Sequence, residues 1–118
     1  TLGTIVTDSK SKTVYLYTKD TANPAKSNCA GQCATNWPPV PASSDAVQGI
    51  NKSLVGSVTR ADGSKQMTLA GWPLYEFAGD SGPGDVKGQG VGGVWFAVTP
   101  SGAKAAASTG GGSGGVGY

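Results

Sequence analysis

Histidine is absent from this sequence of 118 residues, and charged residues make up only 14% of it. Without histidine, the sequence lacks the usual base of a hydrolytic triad. The net charge of +2 is small and the lysines are dispersed, which is not the pattern of a nucleic-acid-binding surface. No apolar run approaches the roughly 20 residues that span a bilayer. We therefore expect no nucleic-acid partner and no transmembrane segment.

Two patterns that look catalytic or cofactor-binding are rejected on their context. Gly88, Gly90 and Gly93 have the spacing of a dinucleotide-binding loop, but a strand follows them where a helix is required. Residues 111–115 have the Gly-x-Ser-x-Gly spacing of a nucleophile elbow, but they lie in a low-complexity tail. We expect neither an enzyme nor a cofactor.

Glycine is abundant instead, with 20 residues, and 7 prolines accompany it. In a helix interior glycine costs about 1 kcal/mol and proline about 3 kcal/mol relative to alanine, so long helices are disfavoured. The length suits one domain with a modest core. We expect a small, mainly β, antiparallel domain over residues 1–104 with one or two short helices. An Ala/Gly-rich tail follows over residues 105–118.

Short runs of β-branched and aromatic residues, separated by turn residues, predict the strands. The strands expected from this pattern are residues 2–7, 13–18, 57–60, 66–69 and 94–98. The turn signal Asp62-Gly63 predicts a hairpin between the third and fourth of them. In the second strand, alternation predicts Tyr15 and Tyr17 on one face and Val14 and Leu16 on the other.

The two cysteines, Cys29 and Cys33, are separated by three residues. In a helical turn such residues have Cα atoms about 6 Å apart, which suits a disulfide. A redox pair normally has a two-residue spacing, and zinc needs further ligands that no other Cys or His supplies. We therefore expect a structural disulfide, which is typical of an oxidising compartment.

A motif of the form Tyr-x-aromatic-x-x-Asp occurs twice, 60 residues apart. Its residues are Tyr15, Tyr17 and Asp20 in the first copy, and Tyr75, Phe77 and Asp80 in the second. A tryptophan follows each copy, Trp37 and Trp95 respectively. The pattern predicts two half-repeats, residues 2–42 and 57–102, which share a core because neither half alone has enough apolar surface.

The motif residues are open to a structural and a ligand-binding interpretation. Aspartate at a strand end commonly caps the next turn, and aromatic residues pack across strands. Alternatively, Asp80 and Asp85 lie in an oxygen-rich loop that is compatible with a hard cation such as Ca²⁺. We favour the structural interpretation and keep the cation site as the alternative. Trp72, between Gly71 and Pro73, is the tryptophan expected to be exposed for an interaction.

Together these residues resemble a family of bacterial secreted proteins and predicted lipoproteins with a repeated Tyr-x-aromatic-x-x-Asp motif. The resemblance covers residues 2–102 and includes both motif copies, the cysteine pair and the segments 36–39 and 88–95. It implies secretion or an extracellular cell-surface location, in some members with a lipid anchor, and it implies no reaction. The sequence begins at Thr1 without a signal peptide, as expected of a mature or trimmed form.

The glycine-rich tail gives the remaining indication of function. Ordering a residue costs roughly 1–2 kcal/mol, so we expect a contact to hold the tail against its own domain or a neighbouring copy. Val116 and Tyr118 are the expected anchors, and an added strand is the expected mode. A head-to-tail contact between copies that does not close into a ring produces a filament. The sequence thus predicts a non-enzymatic extracellular structural or interaction protein that self-associates through its termini. The alternative is a cell-envelope module that binds a metal ion or small ligand.

Overall fold

The computed structural model describes residues 5–8, 10–42, 47–48, 50 and 52–105. Within them, short strands predominate over helix. The strands are β1 (Thr7–Asp8), β2 (Tyr15–Tyr17), β3 (Thr21–Ala22), β4 (Ala25–Lys26), β5 (Val47–Gln48), β6 (Val55–Thr59), β7 (Lys65–Leu69), β8 (Trp72–Pro73) and β9 (Trp95–Ala97). The helix α1 spans Gln32–Asn36, and two 3-10 turns span Lys52–Leu54 and Val91–Gly93. The mainly β prediction is confirmed.

All the strand pairs are antiparallel in the ranges described. The largest sheet has the order β6-β7-β8, and the other pairs are β1-β5, β2-β9 and β3-β4. The hairpin predicted at Asp62-Gly63 joins β6 to β7. Its turn needs Gly63, which has a φ of 90°, and the Asp62 carboxylate accepts the backbone N–H of Ser64 at 2.9 Å.

The two halves meet at Tyr15 and Tyr75. The backbone N–H of Tyr15 donates to the carbonyl of Tyr75 at 2.7 Å, and the N–H of Tyr75 donates to the carbonyl of Tyr15 at 2.9 Å. Equivalent backbone hydrogen bonds flank this centre in the two halves. The N–H of Thr18 donates to the carbonyl of Val94, and the N–H of Ala78 donates in the same way to that of Asn36. Likewise, the N–H of Val6 donates to the carbonyl of Val98, and the N–H of Met67 to that of Val40. An approximate two-fold axis therefore relates the halves, as expected of two repeats.

Two buried clusters lie on opposite faces of β2. The aliphatic cluster contains Val6, Val14, Leu16, Val40, Met67, Leu69, Leu74 and Val98. The aromatic cluster contains Tyr15, Cys29, Trp37, Tyr75, Trp95, Ala97 and Ala105, with Tyr17 and Phe77 packed against it. The alternation predicted for residues 14–17 is thus confirmed. Each fully buried large apolar side chain contributes about 1.5–3 kcal/mol, and both clusters draw residues from both halves.

Candidate functional site

The first tyrosine of each motif copy is hydrogen-bonded to the aspartate of the other copy. The hydroxyl of Tyr15 donates to Asp80 Oδ2 at 2.6 Å, and the hydroxyl of Tyr75 donates to Asp20 Oδ2 at 2.6 Å. Both tyrosines are 0% exposed and both aspartates are 3% exposed. Hydrogen bonds to an ionised acceptor at this length are among the strong ones. The two bonds therefore connect the halves reciprocally.

The spacing within the motif explains how each aspartate is placed. After the second aromatic residue the chain turns, and the aspartate N–H donates to the carbonyl of that aromatic residue at 3.0 Å in both copies. The second carboxylate oxygen then accepts a backbone N–H from the following loop. Asp20 Oδ1 accepts from Asn28 at 2.6 Å, and Asp80 Oδ1 accepts from Lys87 at 2.9 Å. Each aspartate thus ties its own loop to the tyrosine of the other half.

Burial and hydrogen bonding set the protonation of these groups. Burial, with the bonded carboxylates, raises the pKa of Tyr15 and Tyr75 well above the usual phenol value. Burial also raises the pKa of Asp20, although the hydrogen bonds from Tyr75 and Asn28 partly offset this. The two phenols therefore keep their protons at neutral pH and act as donors.

Four aromatic rings stack in the order Tyr17, Trp95, Trp37, Phe77. The ring centroids are 4.3 Å apart for Tyr17 and Trp95, 3.8 Å for the two tryptophans, and 4.2 Å for Trp37 and Phe77. The planes of the two tryptophans differ by only 1°. The second aromatic residue of each copy thus stacks on the tryptophan of the other half. We refer to these four rings as the aromatic stack.

The motif tyrosines lie edge-on against the aromatic stack. The Tyr15 ring is 5.5 Å from that of Trp37 with an interplanar angle of 83°, and the Tyr75 ring is 5.2 Å from that of Trp95 at 89°. Edge-to-face pairs contribute about 0.5–1.5 kcal/mol beyond the area that they bury. The hydrogen-bonded phenols and the stack therefore form one centre, which we call the aromatic centre.

The loops that close the aromatic centre differ between the halves. In the first half, Cys29 and Cys33 form the predicted disulfide, with Cα atoms 5.3 Å apart. In the second half, Gly88 follows Lys87, whose N–H donates to Asp80. The N–H of Gly88 donates to the Tyr15 hydroxyl at 3.2 Å. A Cβ at Gly88 would lie 2.8 Å from the ring of Trp37. Only glycine fits there without displacing the stack.

Arg60 extends the network on the side of Tyr75, and sequence reasoning missed it. This side chain is only 9% exposed, and it donates to the Cys29 carbonyl at 2.7 Å and to Ser27 Oγ at 2.9 Å. Ser27 Oγ is in turn 2.6 Å from the Tyr75 hydroxyl. Arg60 also donates to the buried side chain of Gln66 at 3.0 Å. The sequence contains one feature that could have indicated this role: Arg60 is the only arginine beside 8 lysines, and arginine is favoured over lysine at buried hydrogen-bonding sites.

A carboxyl pair outside the aromatic centre also escaped prediction. Asp8 and Glu76 are hydrogen-bonded through their side chains. Burial, with the bond and the charge of Asp8, raises the pKa of Glu76 to about 7. Burial opposes ionisation of Asp8, but hydrogen bonds from Glu76 and the backbone of Lys12 and Lys10 hold its pKa below the ordinary value. Glu76 is therefore the member of the pair that carries the proton.

Comparison with known proteins gives one family match in each half of the chain. A family model described as a secreted repeat of unknown function matches the chain over residues 1–41 and 56–99. The chain belongs to this family. The two matches agree with the two-repeat organisation of the fold, and membership shows that the protein is secreted. Neither the curated proteins nor the solved structures gave a match. Among the described residues, no helix is long and apolar enough to cross a membrane.

The other site predictions concern a cation bound by Asp80 and Asp85 and an exposed Trp72. Both oxygens of Asp80 accept hydrogen bonds within the protein, and Asp85 Oδ2 accepts from the N–H and hydroxyl of Ser81 at 2.8 and 2.9 Å. In the part of the chain described, no group of three or more potential ligands is placed to hold a metal. The cation site stays a prediction. Trp72 is partly buried against the aliphatic cluster.

The tail residues Val116 and Tyr118 lie outside the described residues, as does all of 106–118. Their role in self-association, and the domain boundary expected at residue 104, stay predictions.

Proposed function

We propose that this secreted protein is a non-enzymatic structural module that associates with further copies of itself. The observation that carries the structural part is the reciprocal pairing of Tyr15 with Asp80 and of Tyr75 with Asp20. The repeated motif is used to join the two halves.

The hydrogen bonds that the motif tyrosines and aspartates form within the protein support a structural role. An acid–base pair that acts on a substrate must present a proton or a lone pair to it. Here the four groups are buried, and both oxygens of each carboxylate already accept hydrogen bonds. Every buried side-chain nitrogen or oxygen atom in the described ranges has a partner. A centre of this kind rigidifies a domain.

The edge strand β6 supports self-association. In the described part of the chain, β6 pairs within its sheet with β7 alone. Natural edge strands are usually protected by charge, proline or a bulge. The strand Val55–Thr59 contains no charged residue and no proline, and Gly56, Ser57 and Thr59 are exposed. It is therefore a suitable edge for the addition of a strand from another copy.

The segment 106–118 is the strand that we propose to add. It is rich in glycine, so its backbone can approach another backbone closely, and it carries Val116 and Tyr118 as anchors. Fully extended, its 13 residues span about 43 Å, more than the length of β6. A tail that binds the next copy in this way is a head-to-tail contact, which leads to a filament when it does not close.

Sedimentation velocity over a range of concentrations, followed by electron microscopy, tests this function. The intact chain is expected to form assemblies, and a chain that ends at Ala107 is expected to be monomeric. Ser57→Lys should also weaken assembly, because it places a charge on the edge of β6. Ala61→Lys is the matched control, since it adds the same charge at the exposed turn of the same hairpin. Monodisperse monomers from both the intact and the shortened chain would refute self-association.

A further inference from the structure

We propose that the aromatic centre is a site of one-electron oxidation, in which Tyr15 and Tyr75 become neutral tyrosyl radicals. The electron passes to a one-electron oxidant in solution, of the organic peroxyl radical class. The phenolic proton passes to the aspartate that already accepts its hydrogen bond. Phenol and carboxylate become phenoxyl radical and carboxylic acid, while the peroxyl radical becomes a hydroperoxide anion that takes a proton from water.

The hydrogen bonds provide the path for the proton. An oxidised phenol is a far stronger acid than the phenol itself, and a carboxylate oxygen lies 2.6 Å from each hydroxyl. Before oxidation the proton stays on the phenol, because burial and the neighbouring carboxylates raise the pKa of both tyrosines. Burial also raises the pKa of Asp20, which makes this carboxylate a better proton acceptor. The products are neutral, and a neutral pair is less costly to bury than an ion.

The aromatic stack provides the path for the electron. Tyr17 is the partly exposed ring at one end, and ring contacts connect it through Trp95 to Trp37. Tyr15 lies edge-on to Trp37, and Tyr75 lies edge-on to Trp95. At the other end is Phe77, and phenylalanine is harder to oxidise than tyrosine. The oxidant is therefore expected to take its electron at the Tyr17 end.

Burial protects the radical once it has formed. Both tyrosine rings are 0% exposed, and the two tryptophans are 4% exposed or less. Gly88 lies directly against the Tyr15 ring, and its N–H donates to the phenolic oxygen. Radical–radical coupling needs ring contact with a second molecule, and the enclosing loops prevent this contact. The centre is thus suited to hold an oxidising equivalent.

Photo-oxidation of the intact protein with ruthenium tris(bipyridine) and a cobalt(III) acceptor, then freezing and electron paramagnetic resonance, tests the proposal. We expect a neutral tyrosyl radical. After incubation in D₂O it should show an exchangeable deuteron that is coupled more strongly than one on the Gly88 amide, since the new carboxylic acid donates to the phenoxyl oxygen across 2.6 Å and the amide across 3.2 Å. This measurement needs no variant. A tyrosyl radical without the deuteron, or tryptophan radicals alone, would overturn the assignment.

Three variants locate the radical. The double variant Tyr15→Phe/Tyr75→Phe should lose most of the tyrosyl signal, because the remaining motif tyrosine, Tyr17, has no carboxylate bonded to it among the described residues. Tyr17→Phe should keep the deuteron-coupled radical but form it several-fold more slowly. Phe77 occupies the matching position in the second copy, so phenylalanine is tolerated there. Asp62→Asn, in an exposed turn, is the control and should leave both yield and rate unchanged.

Replacing the two aspartates that accept the phenolic protons tests directly whether oxidation of the tyrosines is coupled to proton transfer. Asp80→Asn with Asp20→Asn should reduce the yield of neutral radical several-fold, because an amide is a much weaker base than a carboxylate. Circular dichroism and disulfide content show whether the variant is folded. An unchanged radical yield in the folded variant would contradict the proposal. If the variant unfolds, the deuteron measurement on the intact protein decides.

Discussion

Replacing Tyr15 by Phe removes one hydroxyl and, with it, two hydrogen bonds. Asp80 Oδ2 loses its donor at 2.6 Å, and the Gly88 N–H loses its acceptor at 3.2 Å. A hydrogen bond to a charged group contributes about 1.5–3 kcal/mol, and a neutral one about 1 kcal/mol. Because both partners stay buried, we expect the free energy of unfolding to fall by about 2–4 kcal/mol. Domains of this size have about 5–15 kcal/mol, so the variant should still fold.

A double-mutant cycle shows whether the pairing crosses between the motif copies. Tyr15→Phe is combined with Asp80→Asn, and each variant is unfolded with urea. The expected coupling free energy is about 1–3 kcal/mol, since both changes remove the same bond. The matched control combines Tyr15→Phe with Asp20→Asn, which lies in the same copy of the motif. In that control, additivity within about 0.5 kcal/mol is expected.

The outcome distinguishes two architectures. Coupling of Tyr15 to Asp20 instead of Asp80 would mean that each copy of the motif is complete in itself. The reciprocal connection of the halves would then be wrong. Equal coupling to both aspartates would point to a general loss of structure, and it would equally refute the specific pairing.

Further predictions concern the loops and the carboxyl pair. Gly88→Ala should cost about 1–3 kcal/mol in denaturant unfolding, because its Cβ would lie 2.8 Å from a stacked ring, whereas Gly82→Ala meets nothing within 4 Å and should have little effect. Glu76 has its pKa raised from 4.5 to about 7, so its contribution to stability is complete below pH 4.5 and is lost as the pH rises through 7. The melting temperature should fall over that interval, and a profile identical in Glu76→Gln would contradict this origin. Replacing Cys29 and Cys33 by alanine should lower the free energy of unfolding by less than about 3 kcal/mol, because the disulfide joins residues only four positions apart. A larger loss in urea unfolding would mean that the disulfide also contributes through packing.

Local patterns in the sequence predicted much of the fold. The alternation of residues 14–17 predicted which side chains enter which cluster, because strand geometry fixes the face of each residue. The Asp62-Gly63 signal predicted its hairpin, because few residues adopt the positive φ that Gly63 has. The spacing of Cys29 and Cys33 predicted the disulfide, which is present although Cys29 precedes α1, because the chain still brings the two Cα atoms to 5.3 Å, within disulfide range.

The connections of the aromatic centre were not predictable in the same way. The motif shows that a tyrosine and an aspartate recur together, but not whether the bond lies within a copy or between copies. That choice depends on the pairing of Tyr15 with Tyr75, which are 60 residues apart in sequence. Burial of Arg60 is also decided by tertiary packing. Glu76 occupies an unspecified position of the motif, so the pattern does not distinguish it from any other residue.

The reciprocal bonds have a consequence for how such repeats are counted. Each half supplies the tyrosine that the other half's aspartate needs, and the ring on which the other half's tryptophan stacks. A single half is therefore incomplete, but two identical halves on separate chains would satisfy one another in the same way. The domain has the geometry of a symmetric dimer joined into one polypeptide. Chains with more repeats should accordingly contain them in even numbers, or exchange the unmatched one with a neighbour.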